Sequence, residues 1–230
     1  MKEVEPFQLV KFKSSVLAQQ CEKIGEQILN YQKYIDPIGA IVSNRGGWHS
    51  KFDMDNGKAN FPFFGEWAEY LFKLLCECYG DYIEKFYEKQ YREFWSDKQP
   101  WIIVAWFNIN WLGDYNKEHS HLGKGPQNAD EYYYVPPEMK NDREFWLPMA
   151  IGNFYVTDSH NTFFVSKVPR GPTKEEERKY IDFNAGDFLI AHPNLNHGVG
   201  INKQESPRIS IAFNIIPKIE TDERRIIKNL

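Results

Sequence analysis

Residues 101–110 read Trp101-Ile-Ile-Val-Ala-Trp-Phe-Asn-Ile-Asn110, a β-branched and aromatic run at which the hydrophobic period of the chain changes. Upstream, apolar residues recur at helical spacing. Residues 14–35 carry Leu17, Cys21, Ile24, Ile28, Tyr31 and Ile35 three and four apart, with Ser14 or Ser15 to cap the start and Pro37 to stop it. Residues 66–95 carry a similar stripe from Trp67 to Trp95, which Gly80-Asp81 is expected to split or kink. Downstream, Glu131–Val135, Gly152–Thr157, Thr162–Val165, Asp187–Ala191 and Arg208–Ile216 read as further short strands between Gly, Pro and Asn clusters. So many short strands in about 115 residues predict an antiparallel sandwich or jelly roll, with the helices on one outer face of its larger sheet. The expected class is mostly β with N-terminal helices (α+β). One domain, 1–230, would comprise a helix-rich segment 1–98, a jelly-roll core about 99–217 and a charged tail 218–230. Two segments, Leu122–Asp130 and Ser166–Tyr180, read as long loops, the second bearing the solvated charge run Glu175–Lys179.

Composition narrows the function classes. Aromatic residues make up 16% of the 230, ample apolar surface to offset chain entropy, so bulk disorder is excluded. A net charge of -4 gives no basic bias for wholesale binding of nucleic acid or an anionic membrane. No run approaches the roughly 20 apolar residues of a spanning helix, and Met1–Pro6 has no signal-like apolar core. A cytoplasmic, soluble protein is the expectation. Cys21, Cys76 and Cys78 are too few and wrongly spaced for a disulfide framework or a paired-thiol zinc site, and read as structural.

The histidines are more informative. His119 and His121 stand two apart in Gly113-Asp-Tyr-Asn-Lys-Glu-His119-Ser-His121, so an extended chain projects both from one face. Such a pair alone is weak, because surface strands produce it by chance. His197, after the strand Gly186-Asp-Phe-Leu-Ile-Ala and a turn, could supply a third ligand and leave about three corners of an octahedral metal open. Eleven residues on, Arg208 and Ser210 share a strand face and offer a carboxylate a bidentate guanidinium and a hydroxyl. If that strand neighbours the strand of His197, a small dicarboxylate could bridge Arg208 and the metal. His49, His160 and His192 read as satisfied polar residues, His192 being the best candidate to orient a ligand.

The order His-x-(Asp or His), distal His, then Arg-x-Ser resembles the Fe(II)/2-oxoglutarate-dependent dioxygenases. It looks most like the uncharacterised bacterial and phage branch related to prolyl 4-hydroxylases. Trp106–Asn110, Gly113–His121, Glu131–Val135, Gly186–His197 and Arg208–Asn214 carry the likeness, with Gly46-Gly47-Trp48-His49-Ser50 upstream. It implies a double-stranded β-helix (jelly roll) and an oxygenase using Fe(II), 2-oxoglutarate and O2. It places the metal on His119, His121 and His197, with His121 where the family usually has Asp. Asp158 or His160 are alternatives for that corner. The cosubstrate carboxylate would meet Arg208 and Ser210, with Tyr133 as a further hydroxyl. The reaction implied hydroxylates a C–H bond of a peptidyl residue, prolyl among them, or of a small molecule, releasing succinate and CO2. Glu175–Glu177 would favour a cationic substrate if their loop folds over the mouth. Two other classes compete: a cupin-like metal-binding module without oxygenase activity, and a metal-dependent hydrolase using Asp158 or Glu118 as base.

Overall fold

The structure is a computed structural model and describes residues 9–51, 66–86, 101–121, 150–166, 177–193 and 195–217. In chain order these form β1 (Leu9–Lys13), α1 (Ser15–Ala18), α2 (Cys21–Tyr34), β2 (Asn44–Arg45), β3 (Trp48–His49), α3 (Glu66–Phe86), β4 (Trp101–Asn110) and β5 (Tyr115–His119). Then follow β6 (Ala150–Tyr155), β7 (Ser159–Ser166), β8 (Glu177–Phe183), β9 (Asp187–Ala191), β10 (Asn196–Val199) and β11 (Arg208–Pro217). A six-stranded sheet runs β1-β9-β6-β11-β4-β3 and a five-stranded sheet β2-β5-β10-β7-β8. All pairings among the described strands are antiparallel. This is the jelly-roll architecture expected.

The two-residue period sorts each strand of the large sheet. Ile209, Ile211, Phe213 and Ile215 of β11 join Phe107 and Ile109 of β4, Phe154 of β6 and Ile190 of β9 in one buried cluster. The helices cover that face with Leu17, Ile24, Ile28, Leu71, Leu75 and Tyr82, so the apolar stripes read in the sequence are sheet-packing faces. The opposite face looks toward the small sheet, where Ile151, Tyr155, Leu189 and Ala191 meet Phe164 and Phe183 in a second, smaller cluster. Among the described residues no helix is long and apolar enough to cross a membrane.

Three local expectations change. The helix over 14–35 is two helices that break at Gln19–Gln20. Ser14 caps the first, its Oγ accepting from Leu17 N at 3.2 Å, and its own N donates to Gly186 O at 3.1 Å. Gly186 has φ +88° and a Cβ there would lie 2.4 Å from the Ala18 Cβ, so this turn of helix is seated on a glycine. Gly80 does not split the second helix. It sits in α3 facing open space, and its cost of about 1 kcal/mol is outweighed by the buried residues on either side, Leu75 and Tyr79 before it and Tyr82 and Ile83 after it. The segment 177–180, read as the end of a loop, opens β8. As an edge strand it carries the exposed charges of Arg178 and Lys179, which disguise it as a loop. The proposed strand 131–135, the helix end 87–95, the loop 122–130 and the tail 218–230 lie outside the described residues.

Candidate metal centre

β5 and β10 pair so that His119 and His197 are direct cross-strand partners. His121 follows just beyond β5, where its backbone N donates to Pro193 O at 3.1 Å, in the turn that leads into β10. The three ring centroids lie 4.5–5.3 Å apart. One ligand nitrogen from each ring falls within 4.8 Å of the other two. Hydrogen bonds fix which nitrogen that is. His119 Nδ1 donates to Lys117 O at 2.8 Å and His197 Nδ1 to Leu195 O at 2.9 Å. His121 Nδ1 donates to Asn214 Oδ1 at 2.7 Å. With the proton on Nδ1, each Nε2 presents a lone pair, and His121 Nε2 is buried with no hydrogen-bond partner. Three neutral imidazoles with free Nε2 atoms fit a divalent transition metal.

Electrostatics keep the rings neutral. Burial lowers the pKa of all three, to about 3 for His121 and well below the usual histidine value for His197, with mutual repulsion adding to it at His121 and His197. A fourth ring, His49, is 2% exposed, and burial lowers its pKa to about 4. It stacks on Trp106 at 5.6 Å, and Trp106 in turn stacks on His121 at 6.0 Å. The Gly46-Gly47 pair lets the turn before β3 lie close against β4. Gly46 has φ +86°, and a Cβ on Gly47 would lie 2.5 Å from Ile109 O.

The histidines open into a cavity of about 390 Å³ between the sheets, whose lining includes Arg208, Ser210, Tyr155, Asn110, Trp106 and His49. Arg208 is 4% exposed, and desolvation lowers its pKa to about 10, so it stays charged at neutral pH. Its Nη2 donates to Asn110 Oδ1 at 3.3 Å. Among the described residues no carboxylate forms an ion pair with it. A buried cation without an anion is a receptor for one. Ser210 is the register partner of Tyr155 on β6. The Tyr155 hydroxyl is buried without a well-formed hydrogen bond, although Thr162 is near enough to lower its pKa slightly. Burial dominates and pushes the phenol up, so it remains a donor.

The expected residues therefore sort clearly. His119, His121 and His197 come together, and Arg208 and Ser210 share their cavity. The strand of Arg208 does not neighbour that of His197, however. β11 pairs with β4 and β6, β10 with β5 and β7, and the two face each other across the cavity. Asp158 lies outside the cavity lining and its Oδ1 accepts from Ala185 N at 2.8 Å. His160 is half-exposed beside Asp182, and Glu118 pairs with Arg178 at 2.8 Å. His192 is absent from the lining, and its backbone carbonyl closes the turn to Leu195. Tyr133 lies outside the described residues. Tyr155 and Asn214 were missed. Both sit at even spacing on the cavity face of large-sheet strands, and Asn214 was visible as a polar residue six positions after Arg208.

No family model matches the chain, and no curated protein does. Solved structures match along nearly its whole length. A Pseudomonas putida prolyl-4-hydroxylase is 10% identical with a TM-score of 0.54, over 93% of this chain and 94% of that one. A viral collagen prolyl hydroxylase from Paramecium Bursaria Chlorella virus-1, in complex with 2-oxoglutarate, is 12% identical with a TM-score of 0.54, over 92% and 97%. HygX from Streptomyces hygroscopicus, with nickel and 2-oxoglutarate bound, is 13% identical with a TM-score of 0.51, over 96% and 88%. The chain has the fold of these enzymes. At such identity the likeness speaks for the jelly roll, and the chemistry must be argued from this chain's own residues.

Proposed function

We propose that the protein is an Fe(II)- and 2-oxoglutarate-dependent oxygenase that hydroxylates a C–H bond. The observation that carries this reading is one cavity holding three outward Nε2 atoms on one wall and, on the other, a buried guanidinium with no ion pair among the described residues. A metal on His119, His121 and His197 keeps open corners, and Arg208 gives a dicarboxylate a second anchor in the same cavity. When bound, iron and 2-oxoglutarate supply the oxidising power, one atom of O2 going to succinate and the other to the product. The chain's residues do the rest. Arg208 binds the distal carboxylate, with Ser210 and the protonated Tyr155 as hydroxyl donors. Trp106 and His49 wall the metal side and keep water from it.

A peptide or a small molecule fits this reading; a matched prolyl hydroxylase from Trichoplax adhaerens holds a peptide fragment. The described residues of the mouth favour an acidic group on either. Arg45 and Lys117 line it without a carboxylate partner among the described residues, while Glu118 is engaged by Arg178. Of the three residues expected to favour a cationic substrate, only Glu177 is described. Glu177 opens β8, at the opposite edge of the small sheet from β2, and Glu175 and Glu176 lie outside the described residues. Neither base considered for the hydrolase reading is free in the cavity, since Asp158 lies outside its lining and Glu118 is paired with Arg178.

Anaerobic titration of the Fe(II) protein with 2-oxoglutarate tests the proposal. A weak visible charge-transfer band in wild type, lost or much weakened in Arg208→Ala, is the expected result. Bound iron without a band in wild type would instead favour a metal-binding module.

A further inference from the structure

The three histidines are not held alike. His119 and His197 each donate Nδ1–H to the carbonyl two residues before them, so the local chain sets their rings. His121 has no such carbonyl. Its Nδ1 meets the side chain of Asn214, 93 residues away and on the opposite sheet. Asn214 is 3% exposed and sits near the far end of β11, on the cavity face that also carries Arg208, Ser210 and Ala212. An amide on a central strand of a large sheet is otherwise an unfavourable choice, since every polar atom there needs a partner.

We propose that Asn214 is the positioning residue that makes His121 a metal ligand. This deepens the reading above and rests on its metal site. A neutral imidazole binds metal only through an unprotonated nitrogen, and the hydrogen bond at the other nitrogen decides which one that is. Only one amide orientation serves: Oδ1 toward the ring, with the proton on Nδ1 and the lone pair of Nε2 in the cavity. The reversed amide would offer N–H to Nδ1, move the proton to Nε2 and close the corner. A carboxylate ligand at 121 would have no Nδ1–H to place, so Asn214 belongs with histidine at that position. Trp106, stacked on the His121 ring at 6.0 Å, limits its tilt while Asn214 limits its rotation.

Two measurements test this, neither of them activity. Nitrogen-15 spectra of the imidazoles in the metal-free wild type should show His121 protonated at Nδ1; protonation at Nε2 would overturn the proposal. Cobalt(II) titrations of wild type, Asn214→Leu, Asn214→Asp and His121→Ala give affinities and visible spectra. The leucine variant should bind cobalt ten- to a hundred-fold more weakly, with a spectrum moved toward that of His121→Ala. The aspartate variant retains an acceptor and should bind at least as tightly as wild type. Wild-type affinity and spectrum in Asn214→Leu would overturn the proposal alone. Failure of the wild type to bind cobalt would overturn the metal site itself.

Discussion

The two faces of β11 carry opposite chemistry. Toward the helices it presents Ile209, Ile211, Phe213 and Ile215, each at most 2% exposed in an apolar cluster. Toward the cavity the same strand presents Arg208, Ser210, Ala212 and Asn214. The apolar face gains from burial, whereas on the other a buried cation and amide carry desolvation costs that only partners or ligands offset. One strand thus divides its work by residue parity. Odd positions should govern stability and even positions should govern binding.

The strongest blow to that comparison comes from the apolar face. Phe213 is fully buried, and Phe213→Ala should destabilise the fold by about 3–5 kcal/mol through lost transfer energy and the cavity left behind. Chemical denaturation reads the loss. Cobalt affinity of the protein that remains folded should be unchanged, and a parallel fall in affinity would break the parity rule.

His49 probes the rule from the cavity side, because it faces the site yet should affect stability. Its pKa is near 6.5 unfolded and about 4 folded, so the fold favours the neutral ring. Above pH 6.5 both states are neutral and the contribution is complete. As pH falls from 6.5 to 4 only the unfolded state gains the proton, and about 3 kcal/mol is lost. The metal-free protein should therefore weaken steadily across that window, and His119, His121 and His197 shift the same way. His49→Gln should flatten the slope of unfolding free energy against pH between 6.5 and 4. An unaltered slope would assign the acid sensitivity to the other histidines.

Arg208→Ala should leave metal binding intact and weaken 2-oxoglutarate binding at least about a hundred-fold, since charge-assisted bonds contribute roughly 1.5–3 kcal/mol each. Thermal stability should hold or rise, because the variant removes a buried cation that has no ion pair among the described residues. Arg208→Lys should recover some of the affinity. Calorimetry with 2-oxoglutarate on the nickel-loaded protein would decide, and a variant that binds like wild type would remove the cosubstrate from this end of β11.

How much of this was legible follows from what each signal encodes. The period change at Trp101 exposed the sheets, and a strand with a continuous apolar run such as Asp187–Ala191 was placed to the residue. Edge strands were lost because their outward charges imitate loops, as at Arg178 and Lys179, or because they are short, as at Asn44–Arg45. The three histidines and Arg208 were visible as types at fixed spacing. Their cross-sheet relation was not, since sequence order does not state which strands pair. Tyr155 and Asn214 escaped because each needs two facts together: its own face, and a partner from a distant strand.

Ser210→Ala is the smallest change expected on the binding face and the sharpest test of parity. The side chain is small, and its neighbours Ile209 and Ile211 carry the packing, so unfolding free energy should move by less than about 0.5 kcal/mol. On the proposed reading the hydroxyl donates to the cosubstrate carboxylate beside Arg208 and Tyr155, and its loss should weaken 2-oxoglutarate about ten-fold. Tyr155 pairs with Ser210 across β6 and β11 and both line the cavity, so on that reading the two hydroxyls would address the same anion. Tyr155→Phe should weaken binding similarly, and the double variant should fall short of the product of the two effects, as neighbours sharing one partner do. If the effects instead multiply in full, the two hydroxyls act independently, at separate points of the ligand.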